Sequence, residues 1–420
     1  MLLRVHWTAS QTMTFSGGPS KTRRLPSRVP LNLGHGASTT SPRPLRLLCV
    51  LCVRLFLFSS FLIFLPPAHA QDIEKPTLNI DDDVTAFAYA PDGRIVYSAR
   101  RLFKTKKYDL QRDDIWLAEP GGRHKRLLQG EKYIPSDKPF SYMVDGLAVS
   151  PNGKYILAQL STISVVDDAG TTQNERVTLV LDDNGREVKL GGTENIIHDS
   201  IDASWLRDSS TILYLFEAIK PNILFSFKYS SVAAGPGGFL FEGRTFLAYD
   251  MVPRANAAIA VERDRNLSGP PRLQRLDLLA QDNQELATLD DYEGGLTVSP
   301  SGKRVAYYID KEVLEIRDLA APDHVARIRI GLGSLRWAPD DAAILLKRAP
   351  ERKSGDLVWI AVPPLATHAA GQAVPVAETT FNPILHGLAY RDFAISPDGR
   401  SLAVVPPGKR NLLVYPLSPR

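Results

Sequence analysis

The sequence predicts an all-β chain made of about seven four-stranded antiparallel units, arranged as a single β-propeller. Three observations predict it. An apolar run, a Pro-Asp-Gly-like turn and a second apolar run recur seven times between residues 84 and 405. The first and last turn prolines, Pro91 and Pro397, stand 306 residues apart over six steps, or 51 per step. Propeller units repeat at roughly 40–50 residues. A second hairpin follows most copies, which brings the count to four strands per unit.

The copies follow one another with little variation. Residues 84–90 lead through Pro91-Asp92-Gly93 to 95–97, and 147–150 through Pro151-Asn152-Gly153 to 155–160. Residues 201–206 lead through Arg207-Asp208-Ser209 to 212–216. A degenerate fourth copy spans 245–263, with Pro253-Arg254-Ala255-Asn256 in place of the turn. Pro300-Ser301-Gly302, Pro339-Asp340-Asp341 and Pro397-Asp398-Gly399 carry the last three. Proline sets φ at the first central position, Asp or Asn bonds locally, and Gly takes the positive φ. The second hairpins pair 115–117 with 126–128, 177–181 with 187–190, 273–278 with 285–289, and 314–317 with 325–330. A lone four-stranded unit leaves apolar faces in water, so units must stack around an axis. The last unit stops after three strands, while 77–80 stands alone before the first. That segment is expected to supply the missing outer strand and join the chain ends.

The chain carries a net charge of +4, but residues 1–70 hold eight basic side chains and no acid. The remainder has 42 Lys and Arg against 46 Asp and Glu, so charge gives no reason to expect nucleic-acid binding. Arg43, Arg46 and Arg54 precede the apolar run 55–65, and Pro66-Pro67 and Ala68-His69-Ala70 follow. This order reads as a signal peptide over 43–70, cleaved between Ala70 and Gln71, with export to the periplasm or outside the cell. An uncleaved signal anchor is the alternative; after cleavage no stable membrane span is expected. Residues 1–42, rich in Ser, Thr, Pro, Gly and Arg, read as a non-structural leader or an early-assigned start. Both cysteines, Cys49 and Cys52, fall in the leader, so residues 71–420 have no disulfide, thiolate metal site or cysteine nucleophile.

The repeated Ser-Pro-Asp-Gly or Ala-Pro-Asp-Gly turn, at 90–94, 150–154 and 396–400, resembles that of the TolB-type and WD-repeat-like propeller families. The resemblance covers essentially all of 77–420. It implies the propeller fold and, for the TolB type, protein–protein contacts in the bacterial envelope. In that family an α/β domain precedes the propeller, and prolyl oligopeptidase-like enzymes join theirs to a hydrolase half; residues 71–420 are expected to be propeller throughout.

Chemistry-bearing signals are sparse. There is no G-x-S-x-G elbow and no clustered His or Cys, so no catalytic residue, cofactor or metal is expected. His198 and His386 lead into inner strands, and Asp290 and Asp291 precede one. These four are candidates for the channel mouth, where a lyase or glycan hydrolase would assemble its site. The loops joining second and third strands carry Arg100, Arg101, Lys104, Lys106, Lys107, Tyr108 and Arg112, then Arg263 and Arg265, Arg348, Arg352 and Lys353, and Lys409 and Arg410. They predict a locally cationic face for a protein partner or an anionic envelope component. Phe103, Tyr133, Phe140 and Tyr142 are candidate anchors beside them. The preferred reading is a non-catalytic interaction scaffold; the enzyme is the alternative. Reversing Lys104, Lys106 and Lys107 to Glu is expected to leave thermal unfolding nearly unchanged, as for exposed loop residues; a large loss of stability would refute the loop assignment.

Overall fold

A computed structural model describes residues 75–104, 109–133, 140–165, 171–191, 196–219, 224–232, 237–266, 268–348, 355–368, 372–379, 381–389, 393–406 and 410–417. The leader, Lys106, Lys107, Tyr108, Arg352, Lys353 and Lys409 lie outside them. All regular structure among these residues is β.

The chain lays down its strands sheet by sheet. After β1 (Leu78–Ile80) come β2 (Val84–Tyr89), β3 (Ile95–Ala99), β6 (Asp114–Ala118) and β7 (His124–Leu128), with a side hairpin of β4 (Leu102–Lys104) and β5 (Asp109–Gln111) between β3 and β6. The second sheet is β8 (Phe140–Val149), β9 (Tyr155–Val165), β10 (Thr172–Asp182) and β11 (Ile196–His198). Next come β12 (Ser200–Trp205), β13 (Thr211–Ile219), β14 (Leu224–Ser231) and β15 (Gly238–Leu240), and then β16 (Phe246–Met251), β17 (Ala257–Glu262), β18 (Arg272–Asp277) and β19 (Asp282–Thr288). The fifth unit is β20 (Gly294–Val298), β21 (Arg304–Tyr308), β22 (Val313–Asp318) and β23 (His324–Arg329). The sixth holds β24 (Gly333–Trp337), β25 (Ala343–Arg348), β26 (Gly355–Ala361) and β29 (Asn382–Ala389). Two short strands before β29, β27 (Ala366–Thr367) and β28 (Val376–Glu378), pair instead with β23. The last sheet is β30 (Phe393–Ile395), β31 (Ser401–Val404) and β32 (Leu412–Pro416), with β1 on its outer edge: Leu78 opposes Val414 and Ile80 opposes Leu412.

Two expectations are corrected. The outer strand of the second sheet is β11, with Val177 opposite His198; residues 187–190 contribute only a bridge from Glu187 to Leu181. The third and fourth units are joined into one sheet through Phe225 and Phe246. The short β15 covers only Phe227 to Tyr229, which leaves Phe225 open to β16.

The repeated turn works as its residue types require. Ser396 donates to Asp398 Oδ1 (2.6 Å), which also accepts from Arg400 N (3.0 Å), while Ser396 Oγ accepts from Ser401 N (2.9 Å). Gly399 closes the turn at φ 73°, and a Cβ there would lie 2.8 Å from Pro339 Cγ in the neighbouring turn. Only glycine meets both conditions.

Apolar layers lie between successive sheets. Val96, Ile115 and Leu127 meet Tyr142, Leu160 and Leu179, and Leu157 and Val180 meet Trp205 and Ile212. Leu213 and Phe227 meet Tyr249 and Leu276, and Ile259 and Leu273 meet Val298 and Tyr307. Ile316 and Ile328 meet Trp337 and Ile344, and Leu345 and Leu357 meet Phe393 and Val404. A further layer sets Ile80, Leu412 and Val414 of the last sheet against Val84, Phe87 and Tyr97 of the first. The inner-strand tryptophans bridge sheets through hydrogen bonds: Trp205 Nε1 donates to Ala148 O (3.4 Å) and Trp337 Nε1 to Thr297 O (3.3 Å). Trp116 and Trp359 stand on third strands, β6 and β26, and pack partly against the layers beside them. Trp337→Ala would remove a buried ring and its inter-sheet bond. It is expected to cost about 3–5 kcal/mol in urea unfolding, and a cost below about 1 kcal/mol would show that the layer does not depend on it.

Candidate functional site

The face that carries the loops between second and third strands is held by an ionic network. Arg101 grips Asp82 with Nη1 and Nη2 (2.6 and 2.9 Å) and donates from Nε to Asp114 (3.1 Å). Asp114 is buried and also accepts from Gly130 N (2.8 Å). Arg410, between β31 and β32, reaches Asp83 at 2.6 Å, and Arg100 approaches the same carboxylate at 3.7 Å. The hydrogen bonds that Asp82 accepts hold the Arg101 proton more tightly than usual. These arginines tie the segment between β1 and β2 to both the first and the last sheet.

The predicted cationic residues therefore have diverse fates. Arg100, Arg101 and Arg410 are spent on these aspartates. Arg112 donates from Nε to Phe140 O (2.9 Å). Arg263 is half-buried, with its Nε out of solvent and without a partner among the described residues. Arg348 lies over the Phe381 ring, 4.1 Å from its centroid. Lys104 and Arg265 are exposed. Of the candidate anchors, Tyr133, Phe140 and Tyr142 are buried and pack the loops down.

The same face bears a raised wall. Strands β8, β9 and β10 run 10, 11 and 11 residues and rise past their neighbours. The β4–β5 hairpin stands beside them, with Gln111 N donating to Ser141 Oγ (3.2 Å). Leu102, Met143 and Ile163 in these projections are 73%, 39% and 48% exposed. Exposed large aliphatic side chains grouped in raised elements mark contact surfaces.

The candidate channel-mouth residues are not brought together. His198 sits on the outer strand β11 with Nδ1 2.5 Å from Glu175 Oε1. Asp290 pairs with Arg327 of the outer strand β23 (2.8 Å), and Asp291 is exposed, with Oδ1 accepting from Tyr292 N. Each precedes an inner strand in sequence, yet the chain is still at the outer edge there. His386 falls in β29, and its side chain lies outside the described residues.

What does gather among the inner strands is a different set. A cavity of about 290 Å³ is lined by Thr85 to Tyr89 of β2, Asp145 to Leu147 of the second sheet, Arg336 and Trp337 of β24, and Ala394 and Ile395 of β30. Inner strands β2, β8, β12, β16 and β20 each break register, β8 at its middle and the others near their start, and two of the bulge residues, Thr85 and Asp145, reach this cavity. Thr85 donates to Asp113 (2.9 Å), which also accepts from Val144 N (3.0 Å) and Gln111 Nε2 (3.0 Å). Asp145 accepts from Ser161, and Arg336 donates to Leu335 O (2.9 Å) and lies near the Phe393 ring. Burial raises the Asp113 carboxyl above the ordinary range. Asp145 is exposed toward the cavity but walled by protein, and that enclosure raises its carboxyl too. A second cavity, about 370 Å³, lies between the turns of the first and last sheets. Its carboxylates are consumed locally, Asp92 by Arg94 and Asp398 by its own turn.

Sequence reasoning missed Asp145 and Arg336. The available signal was a charged residue inside an inner apolar run, at Met143-Val144-Asp145-Gly146-Leu147 and again at Leu335-Arg336-Trp337. Among the described residues no group of three or more His, Cys, Asp or Glu is arranged to hold a metal.

No family model matches the chain, and no curated protein matches it. Among solved structures, a chain from "Crystal Structure of Mitotic Checkpoint Complex" is similar at 12% identity, covering 84% of this chain and 96% of that chain, with a TM-score of 0.48. The sheets described above make the chain a propeller-like all-β repeat protein.

A carboxylate with a raised folded pKa opposes folding once pH climbs above its unfolded value. Asp145→Asn removes that charge and keeps an acceptor for Ser161. The variant is expected to unfold at a higher temperature than wild type at pH 7, with the gap closing as acid protonates Asp145. A gap that is absent at pH 7, or that widens in acid, would contradict this assignment.

Proposed function

We propose that residues 71–420 form a seven-unit propeller, closed into a ring by β1, that is exported and acts as a protein-interaction scaffold through its loop face. Closure is supported by the apolar layer between last and first sheets, the β1–β32 pairing and the Arg410–Asp83 ion pair. Export rests on the signal-peptide pattern before Gln71. An envelope role of the TolB type rests on the turn motif alone.

The observation that carries the scaffold reading is the exposed set Leu102, Met143 and Ile163 on the raised wall. With Arg100, Arg101 and Arg410 already paired, the contact is apolar first, and the exposed Lys104 and Arg265 add charge around it. A catalytic reading is favoured by one observation, Asp145 and Arg336 lining one cavity.

Affinity capture from an envelope extract, comparing wild type with Leu102→Asp/Ile163→Asp, tests the scaffold. A protein recovered by wild type, retained at high salt and reduced at least about tenfold by the double variant at unchanged thermal stability is the expected result. Recovery lost at high salt but indifferent to the double variant would point to an ionic contact with an anionic component. A small glycan found bound to the purified protein, with no protein captured, would favour the cavity.

A further inference from the structure

We propose that a second copy of this chain pairs edge to edge with the upper half of β10, giving a two-fold dimer built on one continuous sheet. This goes beyond the scaffold reading and leaves the faces of the wall open. β10 pairs with β9 along its whole length, from Thr172 opposite Val165 to Asp182 opposite Tyr155. On its other side β11 covers only Val177 to Leu179. The chain then turns away at Asp199, whose φ of 50° ends the strand. Residues 172–176 thus present an edge that no described strand pairs, and Thr172, Gln173, Asn174 and Arg176 are exposed. A free edge offers backbone donors and acceptors at strand spacing, and an extended backbone is the complementary occupant.

The sequence of this edge selects a copy of itself. Two-fold antiparallel pairing about Asn174 sets Asn174 opposite the partner's Asn174, Gln173 opposite the partner's Glu175, and Thr172 opposite the partner's Arg176. No like charges face each other, and each carboxylate or guanidinium meets an uncharged polar group. None of the five residues is Lys, Pro or Gly, the usual devices that blunt an edge. The other outer edges differ. β1, β11 and β15 have three residues each, β29 contains Pro383, and β27 and β28 cover β23. β7 carries His124, Lys125 and Arg126, while β19 carries Asp282 and Glu285, so each meets its own charge in a copy of itself.

The patch is small, so the dimer should be a concentration-dependent equilibrium and not an obligate assembly. Sedimentation equilibrium of the secreted protein over a hundredfold concentration range tests it, with Asn174→Asp and Asn174→Lys as variants. Wild type is expected to self-associate. Each variant alone is expected to dimerise at least about tenfold more weakly, since position 174 faces itself with a like charge. An equimolar mixture of the two is expected to recover the dimer, which also shows that both are folded. A monomeric wild type at every concentration, variants that dimerise as well as wild type, or a mixture that stays monomeric would each overturn the proposal.

Discussion

Each sheet has two apolar faces and only its neighbours to cover them. Leu157 and Val180 point from the second sheet toward the third, while Leu160 and Leu179 point toward the first. The period of two along a strand makes this unavoidable once both faces are apolar. Every sheet is therefore held from two sides, and removing one would expose two layers. The layers alone do not fix how sheets align along their strands. Polar bonds that end on the inner strand of the next sheet do that: Asp113, just before β6, takes Val144 N, Asp250 of β16 takes Val298 N, and the Gln159 amide of β9, its oxygen assigned toward the third sheet, accepts from Asp202 N and Ala203 N. These groups are half-buried or buried, where losing a partner costs more than the bond itself is worth.

The junction of last and first sheets carries a burden the others do not. Elsewhere neighbouring sheets are joined by a short stretch of chain; here the segments that meet are 327 residues apart, as Arg410 and Asp83 show. β1 contributes only three strand residues to the seam. The Asp82, Asp83, Arg101, Arg410 and Asp114 network adds directional charge-assisted bonds at that point. Arg100, Arg101 and Arg410, which look in sequence like part of a surface for an anionic partner, are thus explained by where the chain ends meet.

The repeat, the turns and most strands were legible because they depend on local chemistry: proline and glycine in the turns, and alternating apolar runs beside them. The sequence also pointed to residues 77–80 as the outer strand of the last unit, and Leu78 does oppose Val414. What could not be read locally was pairing at the outer edge. Residues 187–190 look as much like a strand as 196–198 do, and the choice follows from how the chain crosses to Ser200, which donates to Thr178 (2.7 Å). The candidate sites failed for a related reason. Arg101 and Asp82 are 19 residues apart, and nothing in either neighbourhood shows that they meet. Asp290 and His198 were placed by sequence order relative to inner strands, but order along the chain does not give distance from the axis.

The two ends of the inner strands are unequal, and this directs function to one of them. At the turn end, Asn152 N donates to Ser209 Oγ (3.0 Å), Arg207 to Arg254 O (2.9 Å) and Ser299 to Asp341 (2.8 Å). Those turns are short and bonded to one another, so their polar groups are committed. At the loop end the connections lengthen into the β4–β5 hairpin and the upper halves of β8, β9 and β10, where Leu102, Met143 and Ile163 reach solvent; at the turn end Leu279, between β18 and β19, does so too. Such exposure is disfavoured unless something covers it, and loops on a rigid scaffold are where variation costs the fold least. The wall therefore holds both features that await a partner, the apolar side chains on its projections and the open edge of β10. A ligand for one need not displace a ligand for the other, because edge pairing extends a sheet in its plane and contact with its face does not.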